Sequence, residues 1–431
     1  MHSFVKIEIP RGMRDIGYEE SAKINEIRNT FLETAAAFNF KLIVPSTLEM
    51  LSTLEVKAGP SISNEIYAFK DKGNRDVALR FDLTVGLTRF AASRRDLKMP
   101  IKVAAFDGVW RYDEPQAGRY RYFHQWDIEM YDSFNNESDA ETIQFVSVFL
   151  RKLGLKNVVI ELNDRRLLEE YINEYLLVSD RHVITEIFRA IDKVPKKGSE
   201  AVYGEFKEKL SLSVLDRLIS LSSIKGNIDS VYSSADAGRL KSWNSLFQLN
   251  DSLRSRKVSN IRVNLGIVRG LDYYSGIVFE AIDQSFKSDA LVGGGRYDTL
   301  TEAFGRKDMG ASGAAGGIER IIAALRKDQH FNVQPRMIYV AFASSNTKDQ
   351  AMDIVSDLRE KGYVTDYDFS GRSLRRQIED AAAKGAVITV IVGENDSKNG
   401  CVTIRSMLDG FEFKQDVDEL SRVLEEKMAH Y

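Results

Sequence analysis

Cysteine is almost absent from this 431-residue chain, in which Cys401 stands alone. A single thiol cannot close an internal disulfide. That excludes a disulfide scaffold and fits a reducing cytoplasm. Histidine is scarce as well. The five, at 2, 124, 182, 330 and 430, show no ligand spacing, so no metal site is expected. No run of about eighteen apolar residues occurs, which argues against a membrane-spanning helix. The opening segment, Met1 to Pro10, lacks the apolar stretch of a secretory signal. Neither sign of charge dominates. At a net charge of −3 the whole molecule does not attract phosphate, so a nucleic-acid partner would need local basic patches. The glycine fingerprints of phosphate loops and dinucleotide folds are missing too.

What is present is a soluble composition, 43% hydrophobic and 29% charged, in a chain long enough for two or three domains. Ile24, Ile27, Phe31, Leu32 and Ala35 recur at helical spacing and predict a helix over 20–39. Short strands are expected at 41–44, 77–81 and 101–107. A helix is expected over 139–151, with Ser138 as its cap and Glu141 three residues on. A strand follows near 155–163. Residues 164–257 turn rich in Leu, Ile, Lys, Glu and Ser and read as a mostly helical insertion. Strand chemistry returns at 261–266 and 277–282, then a glycine-rich turn at Gly293–Asp298. The small-residue stretch from Gly310 leads into a helix carrying Arg320. Gln329–Pro335 reads as a linker. Beyond it, alternating strands and helices predict a small α/β domain with a mainly parallel sheet.

Four segments carry unusual chemistry. Arg269-Gly-Leu-Asp-Tyr-Tyr274 sets an arginine fork, a carboxylate and two phenols side by side, suited to a small polar substrate next to a phosphate. Leu79-Arg-Phe-Asp-Leu-Thr84 places Asp82 and Thr84 two apart; on a strand they would share a face and could bind an ammonium group. A helix cap or a surface pair is the plainer reading of that segment alone. From Val109 to Glu129, Arg111, Arg119 and Arg121 are interleaved with aromatic rings around a Pro/Gly turn, in the form strand, loop, strand. Guanidinium for phosphate and ring for base suit a nucleotide. On the return strand Phe123, Gln125, Asp127 and Glu129 fall on one face, which points to a polar pocket unless the hairpin is exposed. In the fourth segment, 310–320, small residues permit close backbone approach ahead of Arg320.

Together these segments resemble the class II aminoacyl-tRNA synthetases, and specifically the histidyl-tRNA synthetase family, over nearly the whole chain. Residues 106–129 are similar to motif 2 and 310–320 to motif 3. Arg269–Tyr274 and Gly293–Asp298 resemble the two histidine-specific signatures, and 20–45 with Pro45 is the candidate for motif 1. Phe81-Asp-Leu-Thr84 resembles the archaeal and eukaryotic form, whereas His124-Gln125 resembles the bacterial one. The resemblance implies an α+β class II catalytic core, a mainly antiparallel sheet flanked by helices, formed by 1–163 and 258–330. It implies a helical insertion at 164–257 and a C-terminal α/β anticodon-binding domain at 331–431.

The resemblance also implies roles. Histidine is expected to be held by Asp82, Leu83, Thr84, Arg111, Gln125, Glu129, Arg269, Tyr273 and Tyr274. Within that set Asp82, Thr84 and Gln125 take the α-ammonium, and Glu129 and Tyr274 read the imidazole nitrogens. ATP is expected on Arg111, Arg119, Phe123 and Arg320, with Phe123 stacked on adenine, and Arg269 and Arg111 are the catalytic pair at the α-phosphate. In the family the arginine matching Arg269 takes a place that a metal ion fills in related synthetases. The implied partners are L-histidine, ATP arriving with magnesium, tRNA(His) and a second copy of the chain, in the cytoplasm and with no membrane. The alternative is a non-catalytic regulatory subunit of histidine biosynthesis built on the same core. Residues 331–431 hold 13 basic against 17 acidic residues, a net of −4. Any RNA contact there rests on a local cluster, Arg372, Arg375, Arg376 and Lys384, expected on one helix face.

Overall fold

The computed structural model describes residues 7–58, 60–112, 120–132, 134–234, 240–269, 273–286, 290–325 and 336–428. Arg119, the turn ending at Gly118, Gly270–Asp272 of the first histidine signature and the Gln329–Pro335 linker lie outside the described residues. The chain divides into two compact units, Met1–His330 and Phe331–Tyr431.

The first unit is organised by a nine-stranded sheet. In spatial order its strands are Lys41–Leu42, Ile101–Trp110, Tyr122–Asp132, Gly310–Gly317, Val292–Arg296, Ile277–Asp283, Val158–Asp164, Ile261–Asn264 and Lys225–Gly226. Every neighbouring pair is antiparallel except Lys41–Leu42 with Ile101–Trp110 and Val158–Asp164 with Ile261–Asn264. The helix Tyr18–Ala37 buries Ile24, Ile27, Phe31, Thr34 and Ala35, so the helical spacing does mark a core-facing stripe. Phe31 sits among the rings of Phe106, Trp126, Phe145 and Phe149, at 5.7–5.9 Å between centroids. Burying that one side chain stabilises the fold by about 1.5–3 kcal/mol. Among the described residues, 164–257 form six helices between Arg165 and Ser255, plus the two-residue strand Lys225–Gly226 that extends the main sheet.

Three local expectations are corrected. Asp82 and Thr84 do not share a strand. The strand stops at Leu79, and a helix begins at Thr84. Asp82 Oδ1 accepts from the backbone N–H of Val85 (3.3 Å), which serves an otherwise open helix N-terminus. Asn135, not Ser138, caps the helix Asn136–Lys152, accepting from the N–H groups of Glu137 and Ser138. The glycines of 293–295 do not form a turn but a strand, paired antiparallel with the small residues of 310–317, with Gly294 opposite Ala314. A side chain at Gly294 would meet the Phe279 ring, and one at Gly316 would meet Trp126. The missing side chains leave room for neighbouring ones, which is why glycine is tolerated in these strands.

The second unit carries a five-stranded sheet in the order Val364–Tyr367, Met337–Phe342, Ala386–Val392, Cys401–Ser406, Glu412–Asp416. The first three strands are parallel and the last two antiparallel, so the sheet is mixed rather than mainly parallel. The edge strand Glu412–Asp416 is polar and largely exposed, and carries no apolar alternation that would announce it.

Candidate active site

The strand Tyr122–Asp132 projects Gln125, Asp127 and Glu129 to one face, and all three are buried. Opposite them, Asp82, Leu83 and Thr84 lie at the head of the helix Thr84–Ser93. Thr84 Oγ1 donates to Asp127 Oδ2 at 3.0 Å, and Gln125 Nε2 donates to the same oxygen at 3.4 Å. Leu83 packs into the core with Leu87, Ala91 and Val103, which leaves only its backbone for a ligand.

Glu129 accepts a hydrogen bond from the hydroxyl of Tyr297. Burial pushes the Glu129 carboxyl up to about 7, against the pull of the Tyr297 hydroxyl and of Lys57. Burial, then the neighbouring Glu129, holds Asp127 well above the usual carboxylate range. Three buried carboxyls thus face one buried ammonium, that of Lys57, which reaches Asp82 Oδ2 at 2.6 Å. Lys57 also lies 4.7 Å from the ring centroid of Tyr273. Tyr273 stacks on Tyr274 with centroids 4.4 Å apart, and Tyr297 meets Tyr273 edge-on.

Arg111 and Arg269 border this polar pocket. Arg111 Nε donates to the Phe81 carbonyl (3.1 Å), and its guanidinium lies 5.0 Å from the Phe123 ring centroid. Arg269 adopts the left-handed backbone conformation, φ 46°. Its Nη1 reaches Glu280 at 3.2 Å, and its guanidinium fills the space next to Gly293. Arg320 Nη1 donates to the Ala290 carbonyl. Its neighbour Glu319 accepts from the backbone N–H of His124 and meets its ring, tying that helix to the strand of Phe123.

The geometry therefore gathers Asp82, Thr84, Gln125, Glu129, Tyr273 and Tyr274 around one pocket. It adds residues that the sequence reading did not assign. Tyr297 is the phenol on Glu129, and it belongs to the second glycine-rich signature. Nothing in the local sequence marks Lys57, because its partner is 25 residues away. No cluster of three metal-ligating side chains occurs among the described residues. The arrangement suits a ligand with an imidazole, an ammonium and an anion, because it sets carboxyls and phenols beside guanidinium groups.

Comparison with known proteins gives a consistent picture. A sequence model of histidyl-tRNA synthetase matches residues 12–321, and one of an anticodon-binding domain matches 337–427. The chain is 35% identical to the histidine–tRNA ligase of Pyrococcus furiosus over 426 residues, covering 96% of this chain and 98% of that protein. It is 31% identical to that of Thermoplasma volcanium, covering 99% and 100%. The crystal structure of histidyl-tRNA synthetase from Nostoc superposes with a TM-score of 0.84 at 22% identity, over 98% of this chain and all of that one.

Proposed function

The chain belongs to the histidyl-tRNA synthetase family, and from that premise we propose that it activates L-histidine with ATP and passes the histidyl group to the 3′ end of tRNA(His). The activity is that of a class II histidine–tRNA ligase in protein biosynthesis. The observation that carries the reading is the convergence of Glu129, Tyr297 and Gln125 in one buried pocket bordered by Arg111 and Arg269.

A neutral imidazole has one donor and one acceptor, and a carboxylate with a phenol satisfies both. A pocket built on such bonds rejects side chains that leave its groups unpaired. Activation joins two anions, the histidine carboxylate and the α-phosphate, and charge builds on the equatorial oxygens. Arg111 and Arg269 supply fixed positive charge there, which lowers the barrier. Arg320, with Arg119, holds the outer phosphates, and Phe123 stacks on adenine. Magnesium enters as the counter-ion of ATP. No side-chain nucleophile is required.

The second unit is the anticodon-binding part of the reading. A homodimer is part of it as well: Leu42, Val44, Leu48 and Met50 are exposed apolar residues in and after the segment that resembles motif 1. Among the described residues no helix is long and apolar enough to cross a membrane. A cytoplasmic location belongs to the proposed role in translation. The test is ATP–pyrophosphate exchange across all twenty amino acids. Exchange with histidine alone is expected. No exchange, with histidine still bound, would turn the reading to the regulatory subunit.

A further inference from the structure

We propose that Asn163 is the positioning residue that holds the backbone of Arg269 in its strained conformation, and so sets that guanidinium at the reacting phosphate. This rests on the histidine-activation reading above and names what keeps the arginine in place.

Arg269 has φ 46°, in the left-handed region. A residue with a Cβ is disfavoured there, and such a backbone persists only when its surroundings hold it. The hold comes from upstream. The strand Val158–Asp164 runs parallel to Ile261–Asn264, and the register of that pair ends with Leu162 opposite Val263. The Asn163 side chain then takes over from the ladder. It is fully buried, and its Oδ1 accepts the N–H of Asp164 at 2.8 Å. That bond turns the amide nitrogen toward the neighbouring segment, where Nδ2 donates to the carbonyls of Ile267 (2.7 Å) and Leu265 (3.3 Å). Both N–H groups of the amide are thereby spent on the residues just before the arginine.

The same segment is fixed from other directions. Glu161 lies two residues before Asn163, on the same face of the strand, and accepts from Asn264 Nδ2 at 2.6 Å. Asn264 Oδ1 in turn accepts the N–H of Gly266 at 2.9 Å. Leu265 donates its N–H to the Ile224 carbonyl of the helical insertion at 3.1 Å, and a side chain at Gly266 would lie 2.5 Å from the Ser222 carbonyl oxygen. Ile267 and Val268 are buried. Val268 alone separates Ile267 from Arg269, so a shift of the Ile267 carbonyl is passed on to the arginine. Beyond that point Arg269 meets Glu280 and fills the space beside Gly293. Those contacts receive the side chain, whereas Asn163 sets the direction from which it arrives.

The test is steady-state ATP–pyrophosphate exchange on the full chain. Asn163→Ala is expected to lower kcat by about 10- to 100-fold and to leave the KM for ATP and for histidine within about threefold. In a chain that already carries Arg269→Ala, the same substitution should change kcat by less than about threefold, because the effects of residues that act as a unit do not add. Losses that multiply would make Asn163 a structural residue and overturn the proposal. So would an equal loss in Asn260→Ala, which removes a comparable side-chain bond, to the Val158 carbonyl, at the far end of the same strand pair. If Asn163→Ala fails to fold, Gly266→Ala decides, because it displaces the segment from the side of the insertion. Its loss of exchange should likewise vanish in the Arg269→Ala chain. Wild-type exchange in Gly266→Ala, or a loss that multiplies with Arg269→Ala, overturns the proposal. A wild-type chain that binds histidine yet shows no exchange would instead bring down the activation reading itself, and this assignment with it.

Discussion

The guanidinium of Arg269 occupies the space that a side chain at Gly293 would need. The two residues come from the two histidine-specific signatures, so one signature supplies a charge and the other the room for it. Gly293→Ala should push the arginine off its position without disturbing the rest of the sheet. A displacement of about 1 Å costs on the order of 100-fold in rate, so pyrophosphate exchange should fall by at least about that factor with an unchanged circular dichroism spectrum. Arg269→Ala should slow adenylate formation far more than it weakens histidine binding. Full activity in the alanine variant at 293 would remove this packing from the mechanism.

That relationship also shows where the sequence was legible. The helical spacing of Ile24, Ile27 and Phe31 states which face is buried, because the period of a helix is local. The alternation of Gln125, Asp127 and Glu129 does the same for a strand face. Gly293–Gly295 misled, because a glycine in a central strand is justified only by neighbours such as Phe279 and Arg269 that the strand cannot announce. Lys57 and Tyr297 were hidden for the same reason: each acquires its role from a partner distant in sequence, Asp82 in one case and Glu129 in the other.

Glu129 links stability to pH with a definite sign. Burial raises its carboxyl from 4.5 to about 7, so the folded state favours the protonated form. That contribution is fully present below the unfolded value and is lost as pH rises through the folded one. The ligand-free protein should therefore lose stability from about pH 4.5 to about pH 7 on account of this group. Glu129→Gln removes the buried charge. At about pH 8 its thermal midpoint should exceed that of the wild type by roughly 2 °C or more, while histidine use is impaired and ATP binding is nearly intact. A lower midpoint at that pH would mean that Glu129 is not held against its preference.

The basic cluster of the second unit divides once its partners are known. Arg372 precedes the helix Leu374–Ala383 and is spent on Asp368 and Asp380, and Lys384 is spent on Asp366 and Asp380. The shared face expected for the arginines therefore does not include Arg372. Arg375 is 89% exposed and, among the described residues, bonds only Glu379 on its own helix. Arg372→Ala should lower the melting temperature of the protein, because it strips the buried Asp368 of its counter-ion. Arg375→Ala should leave melting unchanged and weaken tRNA binding, with a shallower salt dependence. Thermal scans and tRNA titrations at two salt concentrations separate the two. Identical behaviour of the two variants would contradict the division.

The sharpest test of the division of labour is truncation. The pocket residues, from Lys57 to Tyr297, all lie in Met1–His330, which is compact in its own right. The second unit has its own core, built on Ile338, Val340, Ile354, Val390 and Leu424. Each unit thus has an apolar core of its own, the condition for folding alone. A chain ending at His330 should therefore keep histidine-dependent pyrophosphate exchange, since none of the residues assigned to histidine or ATP is removed. Charging of tRNA(His) should fall, because the part read as the anticodon-binding domain supplies RNA affinity rather than chemistry. Exchange and charging measured on the same preparation distinguish the outcomes. Normal charging by the shortened chain would sink the anticodon assignment. Loss of both would show that the first unit depends on the second for its fold.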